Sequence, residues 1–113
     1  MTDTVILATR YGMGHSPLPG LPLTLIEKYF SLLLQDKELP RAICFYTDGV
    51  RLAVTGSPVL AQLKELEGKG VRLILCSTCL EAMDLSKSVQ VGIVGGMPDI
   101  VEAQMKADKV ISI

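Results

Sequence analysis

The sequence has no concentration of positive charge and no long apolar run. Eleven Lys and Arg residues are interspersed with twelve Asp and Glu residues, which gives a formal net charge of −1. Such a balance provides no basic surface for nucleic acid and no polybasic segment for a membrane. No apolar run approaches the ~20 residues that a membrane-spanning helix needs. We therefore expect neither nucleic acid nor a membrane among the partners of this protein.

The chain also has few cysteines and no leader-like start. Its first residues, MTDTVILATRYG, run directly into an apolar segment without a positively charged region, so we expect no signal peptide. Three cysteines are an odd number, and 113 residues are enough to fold without disulfides. Reduced thiols are typical of the cytoplasm, which is the predicted location. The hydrophobic fraction of 49% is high for a small chain and predicts a homo-oligomer.

Short apolar runs alternate with segments of helical periodicity. The runs are of the kind found in strands that are covered on both faces, and they occupy residues 4–9, 41–46, 71–76, 89–94 and 109–113. Helices are predicted for residues 22–35, for a segment that Ser57 caps, Pro58 begins and Gly68 ends, and for residues 97–107. The last of these helices has Ile100, Val101 and Ala107 as its apolar positions.

The first predicted helix has an unusually wide apolar surface. Its buried face is predicted to contain Leu25, Ile26, Tyr29 and Leu33, and further leucines lie elsewhere around it, at positions 23, 32 and 34. The additional leucines indicate either a contact between subunits or a helix that is buried more deeply. Both interpretations stay open at this point.

The alternation of strands and helices predicts an α/β fold. We expect one domain over residues 1–113, with a three-layer α/β/α arrangement and a mainly parallel sheet of about five strands, flavodoxin-like in general plan. In such sheets ligands bind beyond the carboxyl ends of the strands. Four segments follow predicted strands and should meet there: 10–16, 47–51, 76–79 and 95–98. The candidate substrate-binding residues in them are Tyr11, Gly12, Gly14, Thr47, Asp48, Gly49, Ser77, Thr78, Gly95 and Met97.

The segment Cys76-Ser-Thr-Cys79 has four possible interpretations. A zinc site normally takes four protein ligands, and no second pair of suitable spacing is present, so we expect no metal and no other cofactor. A permanent disulfide is not expected in a reducing compartment. A thiolate at the end of a strand and the start of a helix could attack sulfur or exchange with the second cysteine. Alternatively, both cysteines are small buried residues without a chemical role.

Other candidate residues carry weaker signals. GMGHS fits only the first two glycines of a phosphate-binding loop, because Pro17 occupies the third position and no Lys follows. His15 is the only histidine and is a candidate to stabilise a thiolate or transfer a proton near the cysteines. Cys44 lies inside an apolar run and is interpreted as a core thiol. Asp48-Gly49 is typical of a turn after a strand.

Three long stretches of the sequence resemble a known family. FYTDGVRL, GSPVLAQLKELEGKGVRLILCSTCL and VGIVGGMPDIVEAQMKADKVISI are similar to the DsrE-like domain of YedF-type sulfurtransferase-like proteins, within the wider DsrE/DsrF-like family. The resemblance covers nearly the whole chain, and its most specific parts are the strand-end C-x-T-C-L and the closing ADKVI. The chain departs from the YedF-type pattern at Ser77, where that pattern has Gly.

The resemblance implies a function that the residues alone leave open. It implies a sulfur-relay protein that forms homotrimers or hexamers and carries sulfur as a persulfide on the strand-end cysteine, which is Cys76 here. It further implies a sulfur-donor protein or a TusA-like acceptor as partner, with Cys79 able to resolve a persulfide on Cys76. The alternatives are a dithiol redox protein that uses both cysteines and a non-enzymatic oligomeric binding module with inert thiols.

Overall fold

The structure is a computed structural model that describes all residues from 1 to 113, and its centre is a five-stranded parallel sheet. The strand order is β4-β3-β2-β1-β5. The elements in chain order are β1 (Thr2–Ala8), α1 (Leu21–Gln35), β2 (Pro40–Phe45), the 3-10 helix η1 (Thr47–Ala53), α2 (Leu60–Gly68), β3 (Arg72–Cys76), α3 (Ser77–Ala82), β4 (Ile93–Gly95), α4 (Met97–Lys106) and β5 (Lys109–Ser112). This architecture confirms the predicted α/β fold.

The helices lie on both faces of the sheet because the direction in which new strands are added to the sheet reverses once. From β1 to β4 each strand is added on the same side of its predecessor, and α1, α2 and α3 pack on one face. After β4 the chain crosses back to the opposite edge, and α4 packs on the other face. Right-handed crossovers require this change of face when the direction of strand addition reverses.

The core consists of two apolar layers of unequal size. The larger layer of 19 buried residues lies between the sheet and the helices α1 to α3. The smaller layer lies beneath α4 and contains Val5, Leu7, Ala42, Cys44, Ile74, Cys76 and Ile100. Successive residues of each central strand therefore alternate between two apolar layers, which explains why these strands are continuous apolar runs in the sequence.

The buried face of α1 differs from the predicted one. Ile26 and Phe30 are completely buried, whereas Leu25 is 40% exposed and Leu32 is 64% exposed. The prediction was wrong for Leu25 and omitted Phe30. Ile26 and Phe30 are four positions apart and therefore lie on the same face, while Leu25 is rotated by about 100° from Ile26 towards solvent.

The other helices agree with the sequence except near their ends. The Oγ of Ser57 accepts a hydrogen bond from the N–H of Val59 at 3.2 Å, but regular helix begins only at Leu60. Helix α4 matches the predicted segment closely. Its Ile100 is buried as expected, whereas Val101 is 47% exposed and is not a core residue.

The strand β4 is shorter than predicted and lies further along the chain. It contains only residues Ile93–Gly95, instead of 89–94. Val89 forms an isolated antiparallel bridge with Val54, so the apolar residues at 89 and 91 pack near the end of η1 without extending the parallel sheet. Among the helices, even the 15-residue α1 falls short of the length and apolarity needed to cross a membrane.

Candidate functional site

The carboxyl ends of β3 and β4 form the switch point of the sheet. The chain leaves β3 through α3 on one face, and it leaves β4 through α4 on the other face. The two strands are hydrogen-bonded neighbours, and Cys76 at the end of β3 pairs with Gly95 at the end of β4. Ligand sites of open parallel sheets lie at such points, because the diverging connections leave a crevice. The predicted CSTC segment is therefore at the position where the fold favours a site.

Cys76 lies at this point but is almost completely buried. It is the last residue of β3 and the N-cap residue of α3, with 1% of its surface exposed. Its side chain belongs to the apolar layer beneath α4, together with Ile74 and Ile100. A sulfur atom in this position is shielded from solvent.

Cys79 is the more accessible of the two thiols at the site. It is half-buried in the first turn of α3 and packs against both apolar layers. Its Sγ accepts a hydrogen bond from the backbone N–H of Thr47 at 3.1 Å, and the Cys76 side chain is close enough to affect its protonation. Burial raises the pKa of Cys79, and Cys76 raises this pKa further, while the N–H of Thr47 opposes the increase. The arrangement holds two sulfur atoms side by side with one backbone donor directed at the outer one.

The backbone of Thr47 is strained. Its φ of +48° is in the left-handed region, which β-branched residues rarely adopt. The Thr47 hydroxyl lies 2.7 Å from the carbonyl oxygens of both Thr9 and Tyr46, so it can donate to either. The N–H of Tyr46 in turn donates to the carbonyl of Ala8 at 3.2 Å. These bonds hold the start of η1 against the end of β1, and backbone strain of this kind occurs often at functional sites.

Gly49 allows η1 to pack closely against β1. A Cβ atom at this position would lie only 1.8 Å from the carbonyl oxygen of Ala8, so no other residue fits without movement of the backbone. Asp48 is exposed in the first turn of η1, where its Oδ1 lies 3.5 Å from the Nε of Arg51. Such a surface pair contributes little to stability. Gly49 is buried, so the role that the structure gives it is packing.

The remaining residues of the switch point form the rim of the site. Ser77 is half-buried and Thr78 is exposed in the first turn of α3. On the neighbouring strand, Gly95 is half-buried and Met97 begins α4 with 42% of its surface exposed. The turn between β4 and α4 is fixed because the Oδ2 of Asp99 accepts a hydrogen bond from the N–H of Gly96 at 2.8 Å.

The loop after β1 packs against the start of α1 and the end of the chain after β5. Gly12 is buried with a φ of +141°, and a Cβ atom there would lie 2.6 Å from the Cβ of Pro22. Gly14 lines a shallow cavity together with the last two residues, Ser112 and Ile113. The loop is thus anchored to the start of α1 and to the end of β5.

Tyr11 and His15 lie on the exposed part of the same loop. Tyr11 lines an open depression of about 410 Å³ together with Arg51 and Leu85, on the face of the sheet that carries η1. The side chain of His15 is exposed and forms no hydrogen bond or ion pair. Their roles in catalysis and substrate binding stay predictions.

The third thiol differs from the pair at the switch point. Cys44 is the second-last residue of β2 and is completely buried, in agreement with its interpretation as a core residue. Burial raises the pKa of Cys44 to about 11, although the nearby Arg72 opposes this increase. No three His, Cys, Asp or Glu side chains are grouped closely enough to hold a metal ion. The five surface cavities are lined by residues other than the three cysteines.

Comparison with known proteins identifies the family. A model of the DsrE/DsrF-like family matches residues 24–113, which include most of α1, the strands β2 to β5 and both thiols of the switch point. The chain belongs to the DsrE/DsrF-like family. This result confirms the resemblance found in the sequence. No individually curated protein shows a significant match to this DsrE/DsrF-like chain.

Solved structures show the same fold over nearly the whole length of this DsrE/DsrF-like chain. The ychN protein of E. coli matches with a TM-score of 0.70 and 21% identity, and 100% of each chain is covered. MTH1491 of Methanobacterium thermoautotrophicum, a protein of unknown function, matches with a TM-score of 0.68, 22% identity and 97% of each chain covered. BT1422 of Bacteroides thetaiotaomicron, also of unknown function, matches with a TM-score of 0.66 and 15% identity, covering 98% of this chain and 95% of the other. At these identities the likeness concerns the fold.

The sequence predicted the thiol pair but not the hydrogen bond between Thr47 and Cys79. Thr47 was a candidate only because it follows a strand, and nothing in its residue type predicts a left-handed backbone. The adjacent Asp-Gly indicated a turn and was the only local signal. The close approach at Gly49, which brings η1 against β1 and α3, depends on the tertiary structure.

Proposed function

We propose that this DsrE/DsrF-like protein is a cytoplasmic sulfur-relay protein, which carries sulfane sulfur as a persulfide on Cys76 and passes it to a protein partner. The observation that supports the proposal most is the thiol pair at the switch point of the sheet, where Cys76 ends β3 and Cys79 lies beside it. Membership of a family associated with sulfur relay supports the same function.

The chemistry needs no cofactor. A Cys76 thiolate attacks the outer sulfur of a donor persulfide, R–S–SH, so that the bond between the two donor sulfurs breaks and the donor leaves as a thiolate. The product, Cys76–S–SH, contains the transferred sulfur and has used no oxidant or reductant. The buried position of Cys76 would shield this group from water and from small reductants. Cys79 would assist release to the acceptor, for which a TusA-like protein is the candidate.

The test of this function is a change in mass. The reduced protein is incubated with a cysteine desulfurase and cysteine, the donor is removed, and the intact mass is measured. The wild type should retain the mass of one additional sulfur atom, which dithiothreitol removes. Cys76→Ser should retain much less, because a persulfide on the half-buried Cys79 is not shielded and is lost when the donor is removed. A wild type that never gains sulfur, or a Cys76→Ser variant that retains as much as the wild type, would contradict the proposal.

A dithiol redox protein is the second candidate, and the C-x-x-C spacing of Cys76 and Cys79 favours it. Residues three positions apart at the start of a helix are close enough for a disulfide. This function predicts that Cys76 and Cys79 lose two hydrogen atoms reversibly, at a potential near that of cytosolic glutathione. A redox titration in glutathione buffers distinguishes the two candidates, because a pair that never oxidises under mild conditions is not a redox pair.

A non-enzymatic binding module is the third candidate, and the burial of Cys76 favours it. In this case neither thiol at the switch point has a chemical role. Alkylation of Cys76 at neutral pH then proceeds no faster than that of an ordinary thiol, and burial slows it further. Rapid modification of Cys76 in the folded protein would exclude this candidate.

Assembly into a homo-oligomer, a trimer or a hexamer, is part of the proposal. Three apolar side chains at positions 97, 101 and 105 lie along the outer face of α4, where Met105 is 80% exposed. The neighbouring edge strand β4 adds Ile93, which is 53% exposed and pairs with Ile74 of the layer beneath α4. This exposed apolar surface of α4 and β4 supports a contact between copies of the chain. Met97 belongs both to this surface and to the rim of the site.

A further inference from the structure

We propose that Cys79 is the thiol through which sulfane sulfur enters and leaves Cys76, and that Thr47 is a positioning residue that directs its backbone N–H at the sulfur of Cys79. This inference rests on the proposed function and names the route by which a buried carrier is loaded. In this route Cys79 reacts with the donor before Cys76 does. The family resemblance implied the opposite order, in which Cys79 acts only after Cys76 has formed its persulfide.

The two thiols of the switch point differ in their exposure to solvent. Cys76 is 1% exposed within the layer beneath α4, so a donor protein cannot reach its sulfur while the fold is closed. Cys79 is half-buried and contacts both apolar layers at the carboxyl end of the sheet. Cys79 packs against the layer that contains Cys76, and the Cys76 side chain is close enough to affect its protonation. Cys79 is therefore the thiol that lies between the surface and the carrier.

A backbone N–H donates a hydrogen bond to the sulfur of Cys79. A sulfur atom that takes up and releases sulfane sulfur passes through thiolate forms, which a correctly directed N–H stabilises. The nitrogen of Thr47 lies 3.1 Å from the sulfur of Cys79, and the same residue has a strained φ of +48°. The Thr47 hydroxyl, 2.7 Å from the carbonyl oxygen of Thr9, maintains that conformation. Thr47 thus acts on Cys79 through its backbone, while its side chain supplies the anchor.

The transfer itself is balanced in atoms and electrons. The Cys79 thiolate attacks the outer sulfur of a persulfide or polysulfide donor, which forms Cys79–S–SH and releases the donor as a thiolate. The Cys76 sulfur then attacks the outer sulfur of Cys79–S–SH. A bond from Cys76 to the sulfane sulfur forms, the bond from Cys79 breaks, and the proton of Cys76 passes to the Cys79 thiolate. The products are Cys76–S–SH and Cys79–SH, and no reductant or oxidant is consumed.

The test measures the rate of loading with sodium polysulfide as donor, by intact mass at successive times. Cys79→Ser should load at least ~10-fold more slowly than the wild type, because Cys76 then reacts only when the fold opens locally. Thermal unfolding shows whether this near-isosteric variant is folded. Equal rates for Cys79→Ser and the wild type would overturn the inference and leave the proposed function intact. A wild type that does not load at all would contradict the proposed function itself.

Variants of Thr47 test the positioning role independently. In a Cys76→Ser background, we compare the pH profiles of Cys79 alkylation for Thr47→Val and for Thr47→Ser. Loss of the hydroxyl anchor should move the profile of Thr47→Val to higher pH and slow alkylation near neutral pH by about fivefold. Thr47→Ser keeps the hydroxyl and should behave like the parent. Looser packing alone would accelerate alkylation of Thr47→Val at every pH, and that outcome would contradict the role of Thr47.

Discussion

The backbone N–H of Thr47 donates a hydrogen bond of 3.1 Å to the sulfur of Cys79, although the two residues are 32 positions apart. The bond joins the start of η1 to the first turn of α3, so it connects the segments that follow β2 and β3. It also contributes to the protonation equilibrium of Cys79, whose pKa burial raises and this N–H lowers. The chemistry of the site therefore depends on how η1 is packed.

The packing of η1 can be tested at Gly49. We expect Gly49→Ala to destabilise the protein by roughly 2 kcal/mol or more, because its new Cβ would overlap with the carbonyl oxygen of Ala8. The matched control is Gly68→Ala at the end of α2, where a Cβ meets no atom within 4 Å and should be neutral or stabilising by up to ~1 kcal/mol. Urea unfolding curves measure both. Equal stability of Gly49→Ala and the wild type would show that η1 is not packed as described.

The buried Cys44 predicts a loss of stability at alkaline pH. Its pKa is raised from 9.0 to about 11 in the folded protein, so the folded state holds this proton where the unfolded state has lost it. The stability contribution is therefore complete below pH 9 and decreases between pH 9 and pH 11, by roughly 3 kcal/mol in total. Urea unfolding of the wild type and of Cys44→Ala across this range gives the difference. If the difference in unfolding free energy between the wild type and Cys44→Ala stays constant from pH 9 to pH 11, Cys44 ionises freely in the folded protein.

The fold was more predictable from the sequence than the site. Continuous apolar runs identified the central strands because both faces of the sheet are covered. The helix α4 was indicated by Pro98 in its first turn and by the apolar residue Ile100 that follows it. Periodicity alone did not distinguish the two sides of α1, since leucines occur all around it, and Leu25 was assigned to the wrong side. Strand order was not predictable, because it depends on long-range pairing.

The site was predictable only to the extent that it depends on strand ends. The position of Cys76 follows from the end of β3, and the family resemblance marked the same residue. Its near-complete burial and the contact between Thr47 and Cys79 follow from the packing of α4 and η1, which no local pattern records. The contacts of the loop after β1 likewise depend on long-range pairing, since Gly14 lies beside the last residues of the chain at the end of β5.

The outer face of α4 predicts the oligomeric state. We expect the wild type to elute as a trimer or hexamer in size-exclusion chromatography with light scattering. A Val101→Lys, Met105→Lys double variant should shift to smaller species, because two charges replace apolar side chains in the proposed contact. Lys64→Gln, on the exposed side of α2, is the control and should not change the mass. A wild type that is monomeric at every concentration would contradict the assembly.

The central claim is that Cys76 holds the transferred sulfur, and peptide mapping tests it most directly. The wild type is loaded from a cysteine desulfurase with cysteine, the donor is removed, free thiols and persulfides are blocked, and each cysteine-containing peptide is analysed by tandem mass spectrometry. The account predicts the additional sulfur on Cys76 and no additional sulfur on Cys79 or Cys44. Retained sulfur on Cys79 alone, or no retained sulfur at either residue, would contradict it.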